Sequence, residues 1–186
     1  MIESLFVTLL PLGFLTVLFG GGELFRRRNI NMDGDPPIGK VLFLSSKYLI
    51  FVLWTATVVH SWGVNLSFLK VPELSRWLAL SLWGSGFVLL FIGRFGLGDS
   101  FRIGSPKERT QLTVDGLFGF SRNPMYLGVY ATLLASVLYT LNPLLLVLGI
   151  FVVIVHHKIV LAEEQHLRTA FGDQYAEYCS HVRRCL

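Results

Sequence analysis

Five apolar runs occupy about half of this 186-residue chain, and they restrict it to one broad class of fold. They cover residues 5–19, 41–62, 77–92, 125–141 and 144–161. A helix that crosses a bilayer needs about 17–25 mostly apolar residues. The chain is 53% hydrophobic and only 15% charged, where a soluble domain averages about 45–50% and 25%. In hydrocarbon each backbone N–H and C=O must be satisfied within its own segment, which makes such runs helices. The runs at 5–19 and 77–92 are short, and reach spanning length once polar flanks are counted, because their side chains can snorkel. The fold expected is therefore all-α: a polytopic membrane bundle of about five transmembrane helices. No repeat or linker splits residues 1–186, which read as one domain, with three spans in 1–95 and a loop, a helical hairpin and a C-terminal segment in 96–186. The first run has Glu3 ahead of it and "RRR" after it, the pattern of a retained anchor rather than a cleaved leader.

Charge gives the expected orientation. Arg26, Arg27, Arg28 and Lys40 follow the first run, and Arg94, Arg102, Lys107, Arg109 and Arg122 follow the third. Lys158, Arg168, Arg183 and Arg184 lie near or beyond the end of the fifth. Thirteen of the sixteen Lys and Arg thus fall on one side, while Lys47 lies inside the second run. The positive-inside rule makes that side cytoplasmic, which puts the N-terminus outside and the C-terminus inside. It also accounts for the net charge of +4 without a nucleic-acid partner.

Asn142-Pro143 predicts a tight turn, so the fourth and fifth spans form an antiparallel hairpin. The segment after residue 161 has Leu167, Ala170, Phe171, Tyr175 and Tyr178 at helical spacing, which predicts an amphipathic C-terminal helix at the interface. Polar groups gather at the cytoplasmic ends of spans three to five: Arg94, Asp99, Arg122, Asn123, His156, His157, Lys158, Glu163 and Glu164. Arg94 and Lys158 are expected to snorkel. Glu163-Glu164 are harder to place at a membrane face and mark a site. The hairpin brings them level with "SRNPMYLG" at 121–128. There Asn123 stands where an N-cap belongs, Pro124 suits the first helical turn, and Gly128 permits close helix approach. His60 reads as a packing group. Gly96 and Gly98 form a weak backbone-approach signal. His156 and His157 fall on different helix faces, and neither they nor Cys179 and Cys185 have metal-ligand spacing, so no metal is expected.

Two stretches at a fixed separation, "LTVDGLFGFSRNPMYLG" and "AEEQHLRTAFGDQYAEY", resemble the isoprenylcysteine carboxyl methyltransferases and the related phospholipid methyltransferases. Those families carry R-H-P-x-Y-x-G at a helix start and, one hairpin later, E-E-x-x-L-x-x-x-F-G-x-x-Y-x-x-Y. Arg122, Pro124, Tyr126, Gly128, Glu163, Glu164, Leu167, Phe171, Gly172, Tyr175 and Tyr178 match. The likeness covers about the last 80 residues of this sequence, whose length is that of the short prokaryotic members.

The resemblance implies S-adenosylmethionine as methyl donor, leaving as S-adenosylhomocysteine. Its site would comprise Gln111, Leu112, Thr113, Phe118, Asn123, Pro124, Met125, Tyr126, Glu163 and Glu164. Arg122, Glu163 and Lys158 are the expected catalytic groups. A prenylated or acylated acceptor would enter from the bilayer, the first expectation being the α-carboxylate of an isoprenylated cysteine and the alternative a phospholipid amine. The sequence departs from the pattern at two positions. Asn123 stands where a histidine is usual, and Ile159 stands where an arginine is thought to meet the substrate carboxylate, a role left to Lys158 or Arg122. A nicotinamide-dependent sterol-type reductase shares the helix start but not the paired glutamates. A non-catalytic transporter or scaffold would spread its polar groups across the bilayer rather than gather them at one face.

Overall fold

The computed structural model describes residues 1–27, 36–101 and 111–185. Arg28, Arg102, Lys107 and Arg109 lie outside the described residues, as do the side chains of Arg26, Arg27 and Asp99. The chain is an all-α membrane bundle, with five helices among the described residues: α1 (Ile2–Arg27), α2 (Lys40–Ser61), α3 (Glu73–Leu97), α4 (Pro124–Thr140) and α5 (Pro143–His181). Short 3-10 turns at Gly98–Ser100 and Gly116–Gly119 follow α3 and precede α4. The helices α1, α2, α3 and α5 are long and apolar enough to cross a bilayer. The fourth has 17 residues, or about 25 Å at 1.5 Å per residue, the lower limit for a span. It runs antiparallel to α3, with Leu138 beside Ser75 at one end and Met125 beside Gly93 at the other.

The bundle is apolar on both its inside and its outside. Leu53, Trp83, Phe87 and Val152 are fully enclosed, while Leu9, Val52, Trp77, Val147 and Ile154 are exposed along the flanks. In water such flanks would be an aggregation surface; facing lipid they cost nothing. An aromatic knot of Phe14, Trp54, Trp83 and Phe87 joins α1, α2 and α3, with Trp54 and Phe87 centroids 4.8 Å apart. Both indole N–H groups are satisfied, Trp54 donating to Thr132 Oγ1 (3.0 Å) and Trp83 to the Val7 carbonyl (3.2 Å). That matters in a dry interior, where an unpaired donor is costly.

The fourth helix packs chiefly against α3, with α2 and α5 lesser partners. Glycine permits this contact. A Cβ on Gly86 would lie 2.9 Å from the Gly128 carbonyl oxygen, and one on Gly128 would lie 2.7 Å from that of Gly86. The close approach expected at Gly128 is therefore present, and its partner is α3. The α4–α5 turn is built by Asn142, whose Oδ1 accepts from the N–H groups of Leu144 (2.9 Å) and Leu145 (3.4 Å). Its Nδ2 donates to the Leu66 carbonyl at 2.7 Å, tying the turn to the α2–α3 loop. At this same end Arg76 on α3 and Tyr139 on α4 both bond the Glu3 carboxylate of α1. His60 accepts from Leu66 N–H and meets Tyr139 edge-on, which is a packing role.

The amphipathic segment after residue 161 is continuous with α5, which turns only at Gly172 (φ 50°, ψ −123°). That left-handed conformation is one glycine alone adopts cheaply. Beyond it the helix sends Tyr175 and Tyr178 back toward the start of α4.

Candidate active site

At the end opposite the Glu3–Arg76–Tyr139 clasp, side chains come from the start of α4, the turn before it and the middle of α5. The 3-10 turn Gly116–Gly119 buries Phe118, and its carbonyl accepts from Tyr178 Oη at 2.6 Å. Pro124 opens α4 without leaving an amide unpaired, since first-turn N–H groups have no helical partner. Asn123 occupies the N-cap position but makes no capping bond, and its Nδ2 donates instead to the Arg184 carbonyl at 3.1 Å. This corrects the capping expectation: the backbone at Asn123 (φ −133°, ψ 51°) turns the side chain toward the C-terminal residues.

The paired glutamates diverge because successive residues on a helix point about 100° apart. Glu163 accepts from Tyr126 Oη at 3.0 Å. Glu164 is buried at 5% exposure and is held by two arginines. Arg122 Nη2 lies 3.3 Å away, and Arg184 reaches both oxygens through Nε (3.0 and 3.1 Å) and Nη2 (2.8 Å). A carboxylate so enclosed requires this compensation. The same contact holds the Arg184 guanidinium above its ordinary range, its hydrogen bonds to Glu164 being the largest cause. Arg122 also donates through Nη1 to Cys179 Sγ.

A cavity of about 680 Å³ opens over this cluster, within the roughly 300–1,000 Å³ usual for ligand sites. Gln111, Leu112, Thr113 and Phe118 line it from the segment before α4. Arg122, Asn123, Pro124, Met125 and Tyr126 line it from the start of α4, and Glu163 and Glu164 from α5. Lys158 does not: it is exposed and turned away from the cavity. Helix phase explains this, since Lys158 lies about 140° around the axis from Glu163, whereas His156 and Ile159 lie within about 40° of it. Both of those are buried and line the cavity. Replacing Lys158→Ala should therefore leave donor affinity and turnover within about twofold of wild type, as for other surface positions. A larger loss in a methyl-transfer assay would restore the role expected from the sequence.

Three further features of the cavity were not assigned to the donor site from the sequence. His156 sits edge-on to Tyr126 at 5.4 Å, and its Nδ1 has no hydrogen-bond partner among the described residues. Tyr175 and Tyr178 line the cavity from beyond the Gly172 bend. The opposite wall comes from α1 and α2, chiefly Phe14, Leu18, Phe43, Phe51 and Trp54, with Lys47 over the Phe43 ring at 3.7 Å. A lone lysine within a span was the available signal for that wall. Arg94, expected to snorkel, is instead buried, with its guanidinium 4.5 Å over the Phe101 ring. Gly96 and Gly98 do not line the cavity. No metal-binding group of His, Cys, Asp or Glu gathers among the described residues.

The groups present fit a polar, zwitterionic donor. Arginine and backbone amides at the start of α4 suit a carboxylate, and the positive helix end favours it. Glu163 keeps acceptor capacity beside the Tyr126 bond for hydroxyl or amino groups, and the aromatic rings suit a sulfonium. No curated protein and no solved structure matches the chain. A family model described as phospholipid methyltransferase matches residues 74–174, more than half of the sequence. The match runs from α3 through the Gly172 bend and includes both the Arg122–Gly128 and the Glu163–Gly172 stretches. It carries with it a membrane methyltransferase, a donor of the S-adenosylmethionine type and a lipid-related acceptor. This integral membrane chain belongs to the phospholipid methyltransferase family.

Proposed function

We propose that the chain transfers a methyl group from S-adenosylmethionine to the carboxylate of a lipophilic acceptor of the isoprenylcysteine class. The observation that carries this reading is a single cavity with a polar floor and an apolar wall. Arg122, Asn123, Tyr126 and Glu163 form the floor, while α1 and α2 form the wall. A water-soluble donor and a membrane-soluble acceptor require that combination. When bound, the donor supplies an electrophilic methyl group on a sulfonium.

The remaining work falls to the chain. Asn123 and the amides at the start of α4 hold the donor's carboxylate, and Glu163 with Tyr126 holds its hydroxyl or amino groups. The wall between α1 and α2 takes the acceptor's chain and excludes water from its reacting oxygen. A carboxylate is already a nucleophile at neutral pH and needs no base. Orientation is then the main contribution, worth up to about 7–11 kcal/mol, with exchange of water for fixed dipoles adding to it. Lys47 on the acceptor wall supports an anionic head group. The floor faces the cytoplasm, in keeping with the distribution of Lys and Arg.

A phospholipid amine is the second reading, favoured by the description of the matched family. Transfer of labelled methyl to a prenylated cysteine and to phosphatidylethanolamine separates the two. The carboxylate reading predicts label in the prenylated cysteine, released as methanol by mild base because the product is an ester. Base-stable label in phosphatidylethanolamine alone would replace it with the amine reading.

A further inference from the structure

Residues 182–185 follow α5 outside any helix and lie beyond the matched region 74–174 and beyond every motif in the sequence. They nonetheless pack against the residues that form the floor of the cavity. The Arg122 backbone N–H donates to the Arg183 carbonyl at 3.0 Å. The Arg184 carbonyl accepts from Asn123 Nδ2 at 3.1 Å and from Ser121 Oγ at 3.3 Å. The Arg184 guanidinium then closes on Glu164 with three bonds of 2.8–3.1 Å. Arg184 does not itself line the cavity.

The loop 121–123 belongs to no helix, and Asn123 makes no cap that would fix it from α4. The Ser121 N–H bonds the Leu117 carbonyl and the Asn123 carbonyl accepts from Leu127 N–H, while the Arg122 N–H and the Ser121 and Asn123 side chains are tied to the tail. Glu164, buried between two guanidinium groups, couples that tail to Arg122. We propose that Arg184 is a positioning residue of the donor site, setting the orientation of Arg122 and Asn123 through Glu164 and the tail backbone, and thereby donor affinity. This role rests on the donor occupying the floor as proposed above. The bidentate fork is specific to arginine; lysine keeps the charge but loses one of the two parallel bonds.

The test uses the full chain in detergent, with S-adenosylhomocysteine as the calorimetric probe. Arg184→Gln should weaken probe binding about tenfold, the lower end of what charge-assisted hydrogen bonds contribute. At saturating donor its kcat should stay within about twofold of wild type, since no transition-state contact is lost. Arg184→Lys should recover only part of the affinity, leaving binding about threefold weaker than in wild type. The double variant Glu164→Gln/Arg184→Gln should bind no more weakly than the weaker single variant, because both changes break the Arg184–Glu164 contact and Glu164→Gln already removes the pair with Arg122. Should Arg184→Gln fail to fold, Arg184→Lys carries the test, with weakened binding expected at a wild-type thermal midpoint.

Equal affinity in wild type and the Arg184 variants would overturn this role alone. So would a loss confined to kcat, or additive losses in the double variant. A wild-type protein that binds no probe would overturn the donor reading and this role with it.

Discussion

Glu163→Ala should abolish measurable donor binding while the protein still folds. Glu163 faces the cavity and accepts from Tyr126 Oη, so its carboxylate is the anionic group available to a donor on the floor. Truncating one partner of a buried, charge-assisted contact costs about 2–5 kcal/mol, or roughly 30-fold to several thousandfold in affinity. Folding should survive because Glu163 is in neither of the ion pairs that anchor the site. Glu164 is the contrasting case. Its loss would leave Arg122 and Arg184 facing each other without their shared carboxylate, so Glu164→Ala should lower the thermal midpoint as well as donor affinity. Calorimetry with S-adenosylhomocysteine, run beside thermal unfolding of each variant, distinguishes the two glutamates. Wild-type affinity in Glu163→Ala would remove this residue from the donor site.

The largest effect on stability is expected at Gly128. An added Cβ would lie 2.7 Å from the Gly86 carbonyl oxygen, 3.0 Å from Leu90 Cγ and 3.2 Å from Leu89 Cβ. A backbone oxygen cannot swing aside as a side chain can, so α3 and α4 must separate along their whole contact. Overpacking of this kind costs about 1–3 kcal/mol, and should lower the midpoint of Gly128→Ala by roughly 5 °C. Activity should fall with it, because Gly128 is less than one turn from Tyr126 and the shift is transmitted to the floor. Gly149→Ala is the matched control. There a Cβ would meet Leu53 Cδ2 at 3.6 Å and Val137 Cγ2 at 3.8 Å, ordinary contacts. Its midpoint should be unchanged or slightly raised. Similar midpoints for the two variants would mean that the helices are not packed as described.

Periodicity and punctuation made most of the bundle legible. Pro124 and Asn142-Pro143 mark helix starts that the structure keeps, because a first-turn proline and a capping asparagine act locally. The ends were harder. Runs at 5–19 and 77–92 become Ile2–Arg27 and Glu73–Leu97, since polar residues at membrane faces extend a helix without extending its apolar run. The C-terminal segment looked separate because its pattern changes at 162, yet the backbone has no reason to break before Gly172.

Within the cavity, residues 122–126 and 163–164 were legible together because a hairpin places them at one depth. Lys158 was assigned from its depth and its place beside Ile159, where the resemblance expects an arginine; its angle around α5 turns it from the cavity, and the same angle brings in His156 and Ile159. Arg184 carried no signal at all. Its place depends on a bend twelve residues earlier at Gly172 and on a partner, Glu164, twenty residues back. No local pattern encodes that return.

The most direct test of the donor site is ligand-dependent thermal stabilisation of the purified wild-type protein. A ligand that binds the folded state raises its midpoint with concentration, by about 2.7 kcal/mol of stability at one hundred times its Kd. S-adenosylmethionine or S-adenosylhomocysteine should raise the midpoint saturably, and NADPH at the same concentrations should not. Stabilisation by NADPH with no response to either methyl-donor ligand would contradict the account.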